Sequence, residues 1–139
     1  MWLFSQSGIN NVNIDIALEA KGKGMKVVVF GSAAEAEGKK TRHSSGKNIF
    51  EIADIVVDTC APIEDASVSI ENHVDKIGPV STMAFITCVW MTVTTVAEIL
   101  VERGVKLYIH PSHNAPGAGD SKARLDEALA VYKERIKGV

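Results

Sequence analysis

The sequence predicts an α/β domain: a parallel sheet in a three-layer arrangement, with helices flanking it. Three observations carry that prediction. Residues 25–32 and 55–60 are apolar, β-branched runs, as strands covered on both faces are. A shorter apolar run, residues 1–4, precedes them. Segments of helical period lie between the runs, so strand and helix alternate as in a parallel sheet with right-handed crossovers.

Taken in order, residues 1–4 form the first strand, and Ser5-Gln6-Ser7-Gly8 breaks it with a tight polar loop. Val12, Ile16 and Ala20 then recur every four residues, with Ile14 and Leu18 on a neighbouring stripe. This predicts a helix over 11–21, ended by Gly22 and Gly24. Residues 25–32 form the second strand, buried on both faces. Residues 33–45 form a polar loop, and Ser45 is placed to cap a short helix over 46–53. Residues 55–60 form another buried strand. Residues 66–70 alternate weakly and fit either a short strand or an extended loop.

From Ile77 through Ala97 there is no charged residue. A membrane span must be weighed against a core helix. Ser81, Thr82, Thr87, Thr92, Thr94 and Thr95 make the run too polar for a lone span. The expectation is a helix over 80–101, buried against the sheet and a second subunit. Gly104 ends it, residues 105–109 fit a last strand, and 111–119 a Pro/Gly loop. Asp120 or Ser121 can cap a final helix reaching Ile136, with Leu125, Leu129, Tyr132 and Ile136 as its apolar stripe.

The chain of 139 residues is long enough for one domain with a real core. Fifteen Lys and Arg against 17 Asp and Glu give a net charge of −2. That offers no basic stripe for nucleic acid and no acidic tail. Cys60 and Cys88 lie on apolar segments without metal-ligand spacing. They read as buried thiols in a reducing cytoplasm, with no metal and no cofactor implied. Residues 1–4 are too short for a signal sequence and lack a basic flank.

Ligands of parallel sheets bind beyond the carboxyl ends of the strands. Residues 5–10, 32–45 and 59–65 are the loops expected to converge there. The first is suited to a phosphate. It precedes a helix N-terminus, Ser5, Gln6 and Ser7 supply donors, and Gly8 permits positive φ. His43, between Arg42 and Ser44, can act as acid or base near neutral pH, or be a solvated loop histidine. Glu71 and His73 precede the long helix and are candidates for a base and a ring-opening acid. Glu51 has the spacing of a helix surface residue. Glu98 would need a partner if buried, across a subunit interface. His110 and His113 flank Pro111 and could reach across a dimer. Lys39 and Lys40 fit a solvated loop that could steer a phosphate.

Together these residues resemble the SIS (sugar isomerase) domains that bind phosphosugars. Ser5-Gln6-Ser7-Gly8 looks like the family's Ser-x-Ser-Gly phosphate loop, with Ile9 and Asn10 where the family usually has an acidic residue and Thr. Residues 77–85 are similar to the segment that opens the long helix in the isomerase domain of glucosamine-phosphate synthase. The likeness is strongest to a bacterial, uncharacterised subgroup of phosphosugar-binding SIS proteins. It rests on residues 42–47, residues 51–54, an Asp-x-x-Ala-Pro turn at 58–62 and an Asn-x-Pro-Gly run at 114–117.

The resemblance implies a flavodoxin-like nucleotide-binding topology. Ser5, Gln6, Ser7, Gly8 and Asn10 would hold the phosphate, with Ser81 beside the sugar. It also implies that the chain begins inside the family's third strand, so that the domain is truncated at its N-terminus and lacks a further Gly/Ser loop. No Glu-x-x-His pair marks the family's proton-transfer and ring-opening roles. Two functions stay open: an aldose–ketose phosphosugar isomerase working by enediol proton transfer, and a non-catalytic phosphosugar-binding or sensing module. Ser81 is also placed to cap the long helix, so it can read the sugar or merely end a turn.

Overall fold

The computed structural model describes residues 1–110, 112 and 120–137, and three short parallel strands pair in its amino-terminal part. They are β1 (Trp2–Phe4), β2 (Val28–Gly31) and β3 (Ile55–Asp58), in the order β1-β2-β3. Leu3 stands beside Val29 and Val29 beside Val56; Phe4 stands beside Phe30 and Phe30 beside Val57. Helix α1 (Asn11–Gly22) connects β1 to β2. Two single-turn helices, α2 (Ala33–Ala36) and α3 (Ile49–Ile52), lie between β2 and β3. The alternation of strand and helix is therefore α/β with a parallel sheet, as expected.

Successive strand residues point to opposite faces. One face buries Leu3, Val27 and Val29 against Ile14, Ala17 and Ala20 of α1 and Ile49 and Ile52 of α3. The buried stripe of α1 is thus Ile14-Ala17-Ala20, while Val12, Ile16 and Leu18 are exposed. Small alanines let the helix lie close to the sheet. On the other face Phe30 is fully buried, stacked on Phe4 at 4.9 Å and tilted against Trp2 at 5.3 Å. Phe85 meets Phe4 edge-on at 5.6 Å.

Several elements differ from the expectation. β3 is not buried on both faces: Ile55 is 56% exposed and Val56 41%. It is an outer strand, whereas β2 has a neighbour on each side. Residues 33–45 are not all loop, because Ser32 caps α2 by accepting the Glu35 N–H at 3.2 Å. Asn48, not Ser45, caps α3. Its Oδ1 accepts from Phe50 and Glu51, while Glu51 Oε2 accepts the Asn48 N–H at 2.8 Å. That reciprocal box satisfies three donors, which a lone serine cannot match. Glu51 is at the surface, as its spacing suggested, but serves as a cap.

A hairpin follows, β4 (Ala66–Val68) antiparallel to β5 (Ile77–Pro79). Gly78 and Pro79 are poor strand formers, and the strand they form pairs on one side only. Helix α4 (Ser81–Glu102) begins directly after it. By length and composition alone α4 could cross a membrane, with a mean hydropathy of 1.8. Its threonines weigh less against this than expected, since Thr87 and Thr92 donate to the carbonyls of Met83 and Cys88 within the helix. The expected burial of α4 is absent from the single chain: Met83, Ile86, Met91, Val93 and Val96 are exposed. Both thiols are free, but Cys60 is exposed and Cys88 half-buried. Cys60 lies in the turn after the outer strand, where nothing covers it.

The chain divides into two units, Met1–Thr92 and Val93–Val139. The second holds the end of α4, the segment 105–110 and α5 (Ser121–Ile136). Residues 105–109 form no strand, having no partner strand among the described residues. Lys106 instead pairs with Glu127 at 2.5 Å and lies 5.4 Å from the Tyr108 ring centre. Asp120 stands at the N-cap of α5 without a side-chain cap bond, and Ser121 is the first helical residue. Leu129, Tyr132 and Ile136 are exposed, so the expected α5 stripe is unburied there. Glu98 is exposed rather than buried. His113 and the run 114–117 lie outside the described residues.

Asp54 ties the amino-terminal ends of the strands to α1. Its carboxylate meets Lys21 at 2.8 Å and Lys26 at 3.2 Å, and accepts the Val27 N–H at 2.9 Å. The Lys21 ammonium, then the Val27 amide and Lys26, hold its pKa far below the ordinary carboxylate range. A depressed folded pKa contributes stability above the unfolded value, lost as pH falls toward the folded one. Asp54→Asn is therefore expected to lower the melting temperature at neutral pH. The gap to wild type should narrow only below about pH 4, the usual Asp value. Thermal melts of both proteins across an acid series check this.

Candidate functional site

The loop of residues 5–8 leaves the carboxyl end of β1 under tight restraint. Ser5 N–H donates to Phe30 O at 3.0 Å, and Ser32 N–H donates to Gln6 O at 3.1 Å, so the parallel ladder runs on into the loop. At Gly31 any Cβ would stand 2.2 Å from Ser5 O, which makes glycine obligatory for this approach. Gly8 has φ +73°, as the sequence required, and a Cβ there would strike the Phe50 ring at 2.4 Å. Its N–H donates to Ser5 Oγ at 3.2 Å, and its carbonyl accepts from Ile49 at 2.9 Å.

Asn10 then caps α1, accepting the Val12 N–H at 3.1 Å. Its side chain is committed to the helix, which does not favour the ligand contact expected of it. Ser5 is buried and its hydroxyl holds the loop's shape through Gly8. Among the described residues, the Ser7 hydroxyl and the N–H groups of Ser7 and Ile9 have no partner. Gln6 Nε2 reaches Pro62 O at 3.5 Å, while its Oε1 is buried without a donor. The loop thus presents unused donors beside the positive end of a twelve-residue helix.

The three loops expected at the carboxyl ends do meet. Gln6 reaches Pro62, Ser32 Oγ donates to Ala61 O at 2.7 Å, and Glu35 Oε2 accepts the Glu64 N–H at 2.6 Å. Asp58 Oδ1 accepts from Ala33 at 3.2 Å and Cys60 at 2.9 Å. Glu35 is buried and paired with Lys39, whose ammonium holds the carboxyl below its ordinary pKa. Lys39 is therefore an ion-pair partner, not a solvated loop lysine; Lys40 is exposed. Sequence reasoning missed Ser32 and Glu35, although Ser-Ala-Ala-Glu carries a capping-box signature.

The other candidates do not join one cluster. His43 is held between Asp15 and Ser45, at 2.9 and 2.8 Å. Glu71 and His73 lie exposed in the turn between β4 and β5, where His73 Nδ1 accepts the Asp75 N–H at 3.1 Å. Neither contacts Ser81. Ser81 is buried and pairs with Asp65: its hydroxyl donates to Oδ2 at 2.7 Å, its N–H to Oδ1 at 2.7 Å. Asp65 Oδ1 also accepts from Val80 at 3.0 Å. Asp65, unforeseen, therefore supplies the cap, and the Ser81 hydroxyl donates to it. Among the described residues no group of three or more His, Cys, Asp or Glu could hold a metal.

No protein-family model matches the chain. It is 35% identical over 136 residues to a UPF0309 protein of Oceanobacillus iheyensis, an alignment covering 98% of this chain and 54% of that protein. A UPF0309 protein of Shouchella clausii is 36% identical over 121 residues, covering 87% of this chain and 49% of that one. One from Thermoanaerobacter pseudethanolicus is 34% identical over 137 residues, with 97% and 54% covered. The chain thus spans about half the length of the curated relatives it matches.

Proposed function

We propose that the chain binds a sugar phosphate at the loop of residues 5–8, as a SIS-type phosphosugar-binding domain. The observation that carries this reading is the set of unused donors on Ser7 and Ile9, fixed by the Gly8 turn at the N-terminus of α1. A phosphomonoester offers oxygens in place of the missing acceptors. The buried, unpartnered Gln6 Oε1 is an acceptor, and suits a sugar hydroxyl rather than a phosphate oxygen. The reading asks for no metal and no cofactor.

Binding without turnover is favoured over aldose–ketose isomerisation in this chain. Glu71 and His73 stand in an exposed turn, and the Asp15–His43 pair shares no hydrogen bond with residues 5–8. Isomerase activity would belong to a longer protein of the relatives' length, which could supply the missing acid and base. The free, exposed Cys60 suits a reducing cytoplasm. The net charge of −2 gives nucleic acid no purchase.

Replacing both Ser5 and Ser7 with Ala should weaken binding by roughly 1–3 kcal/mol, through loss of one donor and of the brace on Gly8. Calorimetry with hexose and heptose phosphates measures it. Unchanged affinity would place the phosphate elsewhere.

The apolar face of α4 suits a second copy of this chain better than a bilayer. Phe4, Thr82, Phe85, Ile86, Val89 and Trp90 line an open groove of about 340 Å³ there. A groove that begins on a strand of the sheet is continuous with the core in a way that a lipid-facing surface is not. Light scattering without detergent should give a homodimer or higher homo-oligomer; a monodisperse monomer, or recovery only in membranes, contradicts it.

A further inference from the structure

We infer that Ser45 is an activated nucleophile, the reactive member of a Ser–His–Asp constellation formed by Ser45, His43 and Asp15. Nothing in the phosphate reading requires this, and it rests on separate residues. His43 Nε2 lies 2.9 Å from Asp15 Oδ1, and His43 Nδ1 lies 2.8 Å from Ser45 Oγ. The Ser45 backbone N–H also points at Nδ1, at 3.1 Å. The N–H donor at Nδ1 and the carboxylate at Nε2 together favour the neutral tautomer that carries its proton on Nε2, toward Asp15. The Ser45 hydroxyl at 2.8 Å and the Ser45 N–H at 3.1 Å share the one lone pair of Nδ1, and the hydroxyl is the nearer donor. These are the roles of base, orienting acid and nucleophile, recognised by geometry and not by chain order.

The arrangement is more than a turn brace, as His73 shows. His73 Nδ1 lies 3.1 Å from both the Asp75 N–H and the Asp75 carbonyl oxygen, but it has no hydroxyl there and no carboxylate on Nε2. His43 has both, and its side chain is only 10% exposed, which holds the ring in place. Ser45 itself is exposed, so a substrate can reach Oγ. Lys47 N–H donates to that oxygen at 3.3 Å and supports developing negative charge on it. The Arg42 guanidinium and the Ser44 N–H, beside Ser45 in the chain, have no partner among the described residues.

The chemical class that fits is an acyl ester or thioester. Ser45 Oγ attacks the carbonyl carbon, and a C–O bond forms as the hydroxyl proton passes to His43 Nδ1. Asp15 stabilises the resulting imidazolium through Nε2–H. Collapse breaks the bond to the alcohol or thiol leaving group, which takes the proton from His43. Water then attacks the acyl-serine with the same base, releases the carboxylic acid and restores Ser45.

The test treats the full chain with a biotinylated fluorophosphonate. Its phosphorus takes the place of the carbonyl carbon: an O–P bond forms at Ser45, the P–F bond breaks, fluoride leaves, and His43 receives the proton. Peptide mass spectrometry should find the adduct on Ser45, and Ser45→Ala should abolish it. His43→Asn should slow labelling by roughly 100-fold, the usual contribution of a general base. Asp15→Asn, a change on an exposed helix surface that leaves the loop sequence intact, should slow it to a smaller degree. Absence of an adduct on Ser45 in the wild type overturns the proposal. So does labelling of Ser45 at the wild-type rate in Asp15→Asn and His43→Asn.

Discussion

The parallel register of Leu3 beside Val29, and of Val29 beside Val56, is the constraint on which the rest depends. It turns Leu3 and Val29 toward α1 and α3, and Phe4 and Phe30 toward the opposite face. A slip of one residue would exchange those faces. The register also brings Ser5 O against Gly31, an approach that leaves no room for a Cβ. With the strands so aligned, their carboxyl ends stand level and their loops meet. Asp54 closes the other end, clamping two lysines and the Val27 amide.

From that alignment the chemistry of the carboxyl ends follows. In the second and third loops the N–H groups of Ala33, Glu35, Cys60 and Glu64 are taken up within the protein, by Asp58, Ser32 and Glu35. The first loop is different. Its serine hydroxyl at position 7 and several of its N–H groups, those of Ser7 and Ile9 among them, remain unused, while Gly8 and Phe50 hold its backbone in one shape. A rigid loop with unused donors loses little entropy when an anion binds, which is the physical content of preorganisation. Asn10 and Ser81, by contrast, each spend a side-chain hydrogen bond at a helix end.

How much was legible in the sequence follows from which forces act locally. The strands at residues 2–4, 28–31 and 55–58 and helix α1 were legible, because apolar runs and helical period are local signals. So was Gly8, because positive φ is a local demand. Asn48 was missed as a cap because Ser45 competed for the role three residues earlier, and only the reciprocal bond with Glu51 decides between them. Asp65 was invisible because it reaches Ser81 across sixteen residues. The burial of β3, and of α4 and α5 within the single chain, was overestimated for a shared reason. Apolar composition says that a face wants cover, not that this chain supplies it.

The central claim is that the first loop, and no other part of the sheet's carboxyl end, takes the phosphate. Amide proton–nitrogen NMR spectra of the labelled protein, titrated with glucose 6-phosphate and then with glucose, test it most directly. The account predicts that the phosphate ester moves the amides of Ser7 and Ile9 first and furthest, because their N–H groups are unused and flank the Gly8 turn. Glucose alone should leave both in place. Shifts centred on Ala33, Cys60 or Glu64, whose amides are already bonded within the protein, or no shift at Ser7 and Ile9 at saturating ligand, would contradict it.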